Sequence, residues 1–145
     1  MADSVMESLN RNLAGMIALY VVAKHAHWNV RGQAFFAVHQ LFDKIAEDAE
    51  GYADAIGETI GFFGEEAEGT PMLVAKSYLG PYSVGVDKAA SHLRAILKCL
   101  RISLSELKKG IDASLKKNDQ VTADVFIEIS RSVGKNIYLV QSHLE

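Results

Sequence analysis

Cysteine, proline and terminal positive charge are all scarce in this chain of 145 residues. Its one cysteine excludes a disulfide framework; Cys99 sits among Leu97, Leu100 and Ile102 and is expected to be a small buried hydrophobe. No apolar run approaches the roughly 18 residues of a membrane span. The start, Met1 to Glu7, shows neither the basic nor the apolar region of a secretory signal. The expected compartment is the cytoplasm, with association to the nucleoid as the alternative. Arg11 is the first cation and Lys135 the last, so no basic tail is seen, and the net charge is −3. Strong electrostatic attachment to nucleic acid is therefore not expected. The third helix named below does carry Lys98, Arg101, Lys108, Lys109, Lys116 and Lys117, a basic face whose plain reading is solvation.

The two prolines, Pro71 and Pro81, both fall in the middle and leave long stretches free of helix breakers. About half of the residues are apolar, enough for an ordinary core at this length. Their spacing is helical throughout, and no strand pattern or repeat stands out. Ser4-Val5-Met6-Glu7 has capping-box spacing for a first helix, with Leu9, Leu13, Met16, Ile17, Tyr20 and Val21 as its apolar stripe and a stop near Gly32. A second helix, about 34 to 63, would bury Phe35, Val38, Phe42, Ile45, Tyr52, Ile56 and Ile60. Thr70-Pro71 and Gly80-Pro81 bracket a short helix over about 71 to 79. A third helix, about 87 to 117, would bury Leu93, Ile96, Leu97, Leu100, Leu104, Leu107, Ile111 and Leu115. A fourth runs from about 121 to 144 through Val125, Ile129, Val133, Ile137 and Val140. Four long helices with a long crossover between the second and third predict an all-α, ferritin-like four-helix bundle spanning residues 1–145 as one domain. The long crossover lets the second and third helices run parallel.

On the second helix, His39, Asp43, Glu47, Glu50, Asp54 and Glu58 fall at spacings of four, four, three, four and four. At about 100° per residue they share one stripe about 100° wide. The stripe is symmetric about a point between Asp48 and Ala49. Two copies laid antiparallel on a two-fold axis there would set His39 opposite Glu58, Asp43 opposite Asp54 and Glu47 opposite Glu50. A conventional site inside one bundle uses Glu-x-x-His pairs, and this chain has none. Asp43 and Asp54 lie about 16 Å apart along the helix axis, beyond the reach of one ion whose bonds are about 2 Å long. Two chains are needed to bring them together. His27, near the end of the first helix, can approach the same end of the bundle as His39. Imidazole with carboxylate suits iron, and also zinc or manganese. An acidic stripe is equally the look of a solvated helix face, and that reading stays open here. His25, His92 and His143 lack such a pattern and are expected at the surface or in packing. Trp28 is expected to be buried, in the core or at a dimer contact.

The run His27-Trp28-Asn29-Val30-Arg31-Gly32, then Phe35-Phe36, His39, Phe42-Asp43, Asp54 and Glu58, resembles the Dps family, the DNA-protection-during-starvation mini-ferritins. The likeness covers nearly the whole chain, including Thr122-Ala123-Asp124 at the start of the fourth helix. It implies a homo-oligomeric shell of twelve subunits built from two-fold dimers, storing ferric mineral inside. It implies ferroxidase sites with two irons at each dimer interface, with zinc as a substitute occupant. Carried over, His27, His39 and Asp43 of one subunit and Asp54 and Glu58 of its neighbour would be the ligands, and Trp28 a sacrificial radical trap. Glu47 and Glu50 would nucleate mineral, and Asp119 and Asp124 would line the iron-entry pore.

The reaction implied is oxidation of Fe(II), preferably by hydrogen peroxide, which consumes both reagents of hydroxyl-radical chemistry and so protects the cell and its DNA. Three departures from the family pattern stand out. The family's arginine after Glu58 is replaced by Thr59, its late Glu-Lys-His…Trp pattern by Gly134-Lys135-Asn136 and Tyr138, and the lysine-rich tail is missing. Twelve chains at −3 each would carry about −36, which opposes DNA association. Weak or absent DNA binding and no membrane contact are expected. The rival readings are a nucleoid-compacting protein and a structural or zinc-binding dodecamer without ferroxidase activity.

Overall fold

The computed structural model describes residues 2–145, with side chains from Val5 onward. Its elements are α1 (Ala2–Asn29), β1 (Val30–Arg31), α2 (Phe35–Phe62), α3 (Pro71–Ala75), β2 (Asp87–Lys88), α4 (Ala89–Lys116) and α5 (Gln120–Leu144). The helix already includes Ser4, so α1 begins before the expected start; the Ser4 side chain and its capping box lie outside the described residues. Helix α1 packs on α2 and on α4, and α4 packs on α5, which leaves α2 and α4 diagonally opposed. The bundle core is mainly apolar, with Leu9, Met16, Leu19, Phe42, Ile45, Ile56, Ile60, Leu93, Ile96, Leu100, Leu107 and Phe126 fully buried. This is the expected ferritin-like four-helix architecture.

Periodicity did not reveal the two short strands. Val30 pairs with Asp87 and Arg31 with Lys88 in parallel. Two residues are too few to show alternation, and the pair exists only because the crossover brings its end back to the corner after α1. A parallel pair requires such a crossover, and this one starts α2 and α4 from the same corner, running in the same direction. Gly32 turns that corner with φ +110°, a conformation that side chains other than glycine's rarely adopt.

The crossover helix is shorter than expected, five residues instead of about nine. Past Ala75 the chain leaves helical geometry so that Tyr78 can dock on α1. Its hydroxyl donates to Asn12 Oδ1 at 2.9 Å, and its ring occupies the space that a side chain at Gly15 would need. Asn12 in turn donates to the Glu106 carbonyl on α4 at 3.3 Å. Glu106 is itself buried and accepts from Arg11 at 2.6 Å and Lys109 at 2.8 Å. Burial opposes its ionisation, yet these two cations hold its carboxyl below the ordinary range.

Most of the expected core is buried or half-buried, with three corrections. Val21 is 52% exposed and Leu115 50% exposed, because each lies at the edge of its helical stripe and turns outward. Trp28 is 62% exposed, so within the protomer it is not a core residue. Cys99 is buried as expected, and burial pushes its thiol up to about 11, which leaves it unreactive at neutral pH.

Candidate metal centre

The corner between α1 and α2 builds a pair of imidazoles. His27 ends α1 and His39 lies in the second turn of α2; their rings stack at 3.6 Å between centroids, 11° from parallel. His27 Nδ1 donates to the backbone oxygen of His39 at 2.7 Å, and His39 Nδ1 donates to that of His27 at 2.7 Å. A carbonyl only accepts, so each Nδ1 must carry its proton, and in the neutral ring Nε2 holds the lone pair. This is the outer-shell arrangement that fixes the tautomer of a metal-ligating histidine. The ring of Phe35 stacks on His39 at 4.7 Å and backs the pair. No sequence spacing discloses this reciprocal clamp, because it depends on how the corner folds.

Asp43 lies one turn beyond His39 and is half-exposed. Lys24 Nζ, one turn before His27 on α1, donates to its Oδ1 at 2.8 Å. That hydrogen bond is the main cause holding the Asp43 carboxyl below its ordinary range, with His27 and His39 contributing less. Lys24 Nζ also lies 5.7 Å from the centre of the Trp28 ring, a cation–π distance. One protomer therefore pairs His27 with His39, and Lys24 links Asp43 and Trp28 on the same α1–α2 face.

It does not bring Asp54 and Glu58 to them. Both are exposed on α2, about three and about four turns beyond Asp43. Within one chain, the described residues contain no group of three or more His, Cys, Asp or Glu able to hold an ion. Glu47 and Glu50 are exposed between the two half-sets. Asp48, off the stripe, is spoken for by Lys44 at 2.7 Å and Asn136 at 3.0 Å, and so ties α2 to α5.

Asp119 has a structural task that the sequence pattern did not suggest. It is the N-cap of α5, accepting from the Thr122 amide at 3.0 Å and the Thr122 hydroxyl at 2.6 Å. Asp-x-x-Thr ahead of an apolar run was the signal to follow. Asp124, one turn further, is exposed. Of the remaining histidines, His143 is exposed, and His92, fully buried, and His25, half-buried, serve in packing, both bonded to the crossover.

The bundle and its corner define a class, and comparison with known proteins agrees: a family model described as a ferritin-like domain matches residues 6–145. The DNA protection during starvation protein of Agrobacterium fabrum is 32% identical over 144 residues, covering 99% of this chain and 89% of its own length. That of Mycolicibacterium smegmatis is also 32% identical, with coverage of 99% and 79%. Among solved structures, Dps from Microbacterium arborescens in the high iron form superposes with a TM-score of 0.90 at 33% identity, covering 99% of this chain and 93% of that one. A tetragonal form of Mycobacterium smegmatis Dps gives 0.93 at 32% identity, with coverage of 99% and 88%. The chain belongs to the Dps family of ferritin-like proteins. No helix of the described residues is long and apolar enough to cross a membrane.

Proposed function

We propose that this chain is the subunit of a homo-oligomeric ferroxidase that oxidises Fe(II) and stores the ferric product in a dodecameric shell. The observation that carries the reading is the reciprocal His27–His39 clamp, which occupies both Nδ1 atoms and leaves both Nε2 atoms available, with Asp43 one turn beyond His39. Three ligands on one protomer form half a centre. The palindromic stripe supplies the rest when a second α2 lies antiparallel, bringing a partner copy's equivalents of Asp54 and Glu58 to this half. Two identical centres per dimer follow from the two-fold axis. The exposed Trp28 and Val21 give that contact apolar surface. The high iron form recorded for the Microbacterium arborescens relative supports iron as the substrate.

In the reaction, two Fe(II) ions each give one electron to hydrogen peroxide, whose O–O bond breaks; with two waters the products are two FeO(OH) and four protons. The carboxylates of Asp43, Asp54 and Glu58 stabilise the charge gained at Fe(III) and accept hard cations. His27 and His39 would each ligate through Nε2. Glu47 and Glu50 receive ferric product, Asp124 attracts Fe(II) at a pore, and Trp28 at the rim intercepts stray radicals. Mixing Fe(II) and peroxide with the protein should produce ferric absorbance faster than the uncatalysed reaction and faster than with oxygen. Equal rates with and without protein would reject the activity, and a dodecamer holding zinc but inert to iron would favour the structural reading.

A second reading, DNA contact, has one observation in its favour. Arg94, Lys98, Arg101 and Lys108 are exposed along one side of α4, and none has a carboxylate partner among the described residues. Such a strip meets phosphates without reading sequence. Against a net charge of −3 it would give weak, salt-sensitive association. Mobility shift on duplex DNA across a salt series separates the two roles.

A further inference from the structure

We propose that His92 is an acid-sensitive latch that holds the end of the crossover, residues 81–88, against the bundle. His92, on the first turn of α4, is fully buried. Its Nε2–H donates to the Gly85 carbonyl at 2.7 Å, and its Nδ1 accepts from the Tyr82 hydroxyl at 2.7 Å. One donor and one lone pair are what a neutral imidazole offers, and both are used. The Tyr82 ring stacks on His92 at 5.9 Å and meets His25 of α1 edge-on at 5.3 Å. His25 Nε2 donates to the next carbonyl upstream, that of Val84, at 2.8 Å. The latched segment then enters β2, whose pairing with β1 closes the corner beside Asn29.

The titratable and charged groups facing His92 are His25 from α1 and Tyr82 and Asp87 from the crossover; α2 presents only the apolar Phe42 ring, 6.3 Å away. Asp87 is exposed, with its Oδ1 accepting from the Lys88 amide at 2.7 Å, so it offers little to a buried imidazolium. A second proton on His92 would put Nδ1–H against the Tyr82 O–H, whose proton then loses its acceptor. It would also place a charge in an apolar site, 6.4 Å from a second imidazole. Burial accordingly lowers the His92 pKa below its ordinary 6.5. Swinging residues 81–88 outward hydrates the charge, and the two-residue β1–β2 pair, the His25 bond and the packing of the Tyr82 ring oppose it. The inference stands whether or not the protein oxidises iron.

Hydrogen exchange on the assembled full-length protein tests it, following the backbone amides of 82–89 from about pH 7.5 to about pH 5. After correction for intrinsic exchange, protection should fall about tenfold or more as pH drops. His92→Gln offers the same donor and acceptor without titrating, and should keep its protection across the range. His25→Gln should still show the fall. A flat wild-type profile, or the same fall in His92→Gln as in wild type, overturns the proposal. Should the variant fold poorly, histidine-selective NMR of the wild type decides: the loss of protection must track the His92 titration, and midpoints that do not coincide overturn it.

Discussion

Helices α2 and α4 are each 28 residues long and lie diagonally across the bundle, yet they carry opposite charge. Helix α2 sets Asp43, Glu47, Asp48, Glu50, Asp54 and Glu58 against Lys44, a net −5. Helix α4 sets Arg94, Lys98, Arg101, Lys108, Lys109 and Lys116 against Glu106 and Asp112, a net +4. Charge density alone does not separate a centre from a solvated face. What separates them is arrangement: the α2 stripe is symmetric about its own midpoint and ends at a histidine whose tautomer the backbone fixes. The α4 cations lack that symmetry, and among the described residues only Lys109 of them has a carboxylate partner, Glu106. A metal needs converging, preorganised ligands, whereas a phosphate polymer needs only a row of cations.

The comparison breaks first at α2. Replacing His39 or Asp54 by Ala should slow rapid Fe(II) oxidation by more than the ten- to hundredfold typical of losing a mere outer-shell partner, with assembly intact by sedimentation. Unchanged stopped-flow traces would remove those residues from the centre. At α4 the reverse should hold: Lys98→Glu with Arg101→Glu leaves oxidation unchanged but flattens the salt dependence of DNA affinity, by about 0.9 in log–log slope for each phosphate no longer neutralised. Slower oxidation in that variant would mean the two faces are not independent.

Acid should act on a third place, between them. His92 keeps a folded-state pKa below 6.5, so the unfolded chain takes up the proton first. Its contribution to stability is full above about pH 6.5 and is lost as pH falls from there toward the folded pKa. Denaturant midpoints should drop over that window in the wild type, and less in His92→Gln; parallel curves would contradict the assignment.

The helices and the charge stripe were legible in the sequence because both repeat locally, at the 3.6-residue period. The proposed need for a second chain also rests on the sequence, on the separation of Asp43 and Asp54 along α2. The β1–β2 pair, the exchange of hydrogen bonds between His27 and His39, and the burial of His92 were not legible. Each joins residues that only the crossover or the corner brings together, and none leaves a periodic trace. The Asp119 cap, by contrast, follows a local rule, Asp-x-x-Thr ahead of an apolar run, and its hydrogen bonds to Thr122 leave a pore role for the same residue open.

Restoring activity across subunits is the most direct trial of a centre completed by two chains. Asp43→Asn and Asp54→Asn subunits, each inactive alone, are dissociated, mixed and reassembled. In a mixed dimer, one centre receives both lesions and the other receives neither. Random pairing should therefore return about a quarter of wild-type ferroxidase activity. A mixture as inactive as either parent would contradict the shared centre.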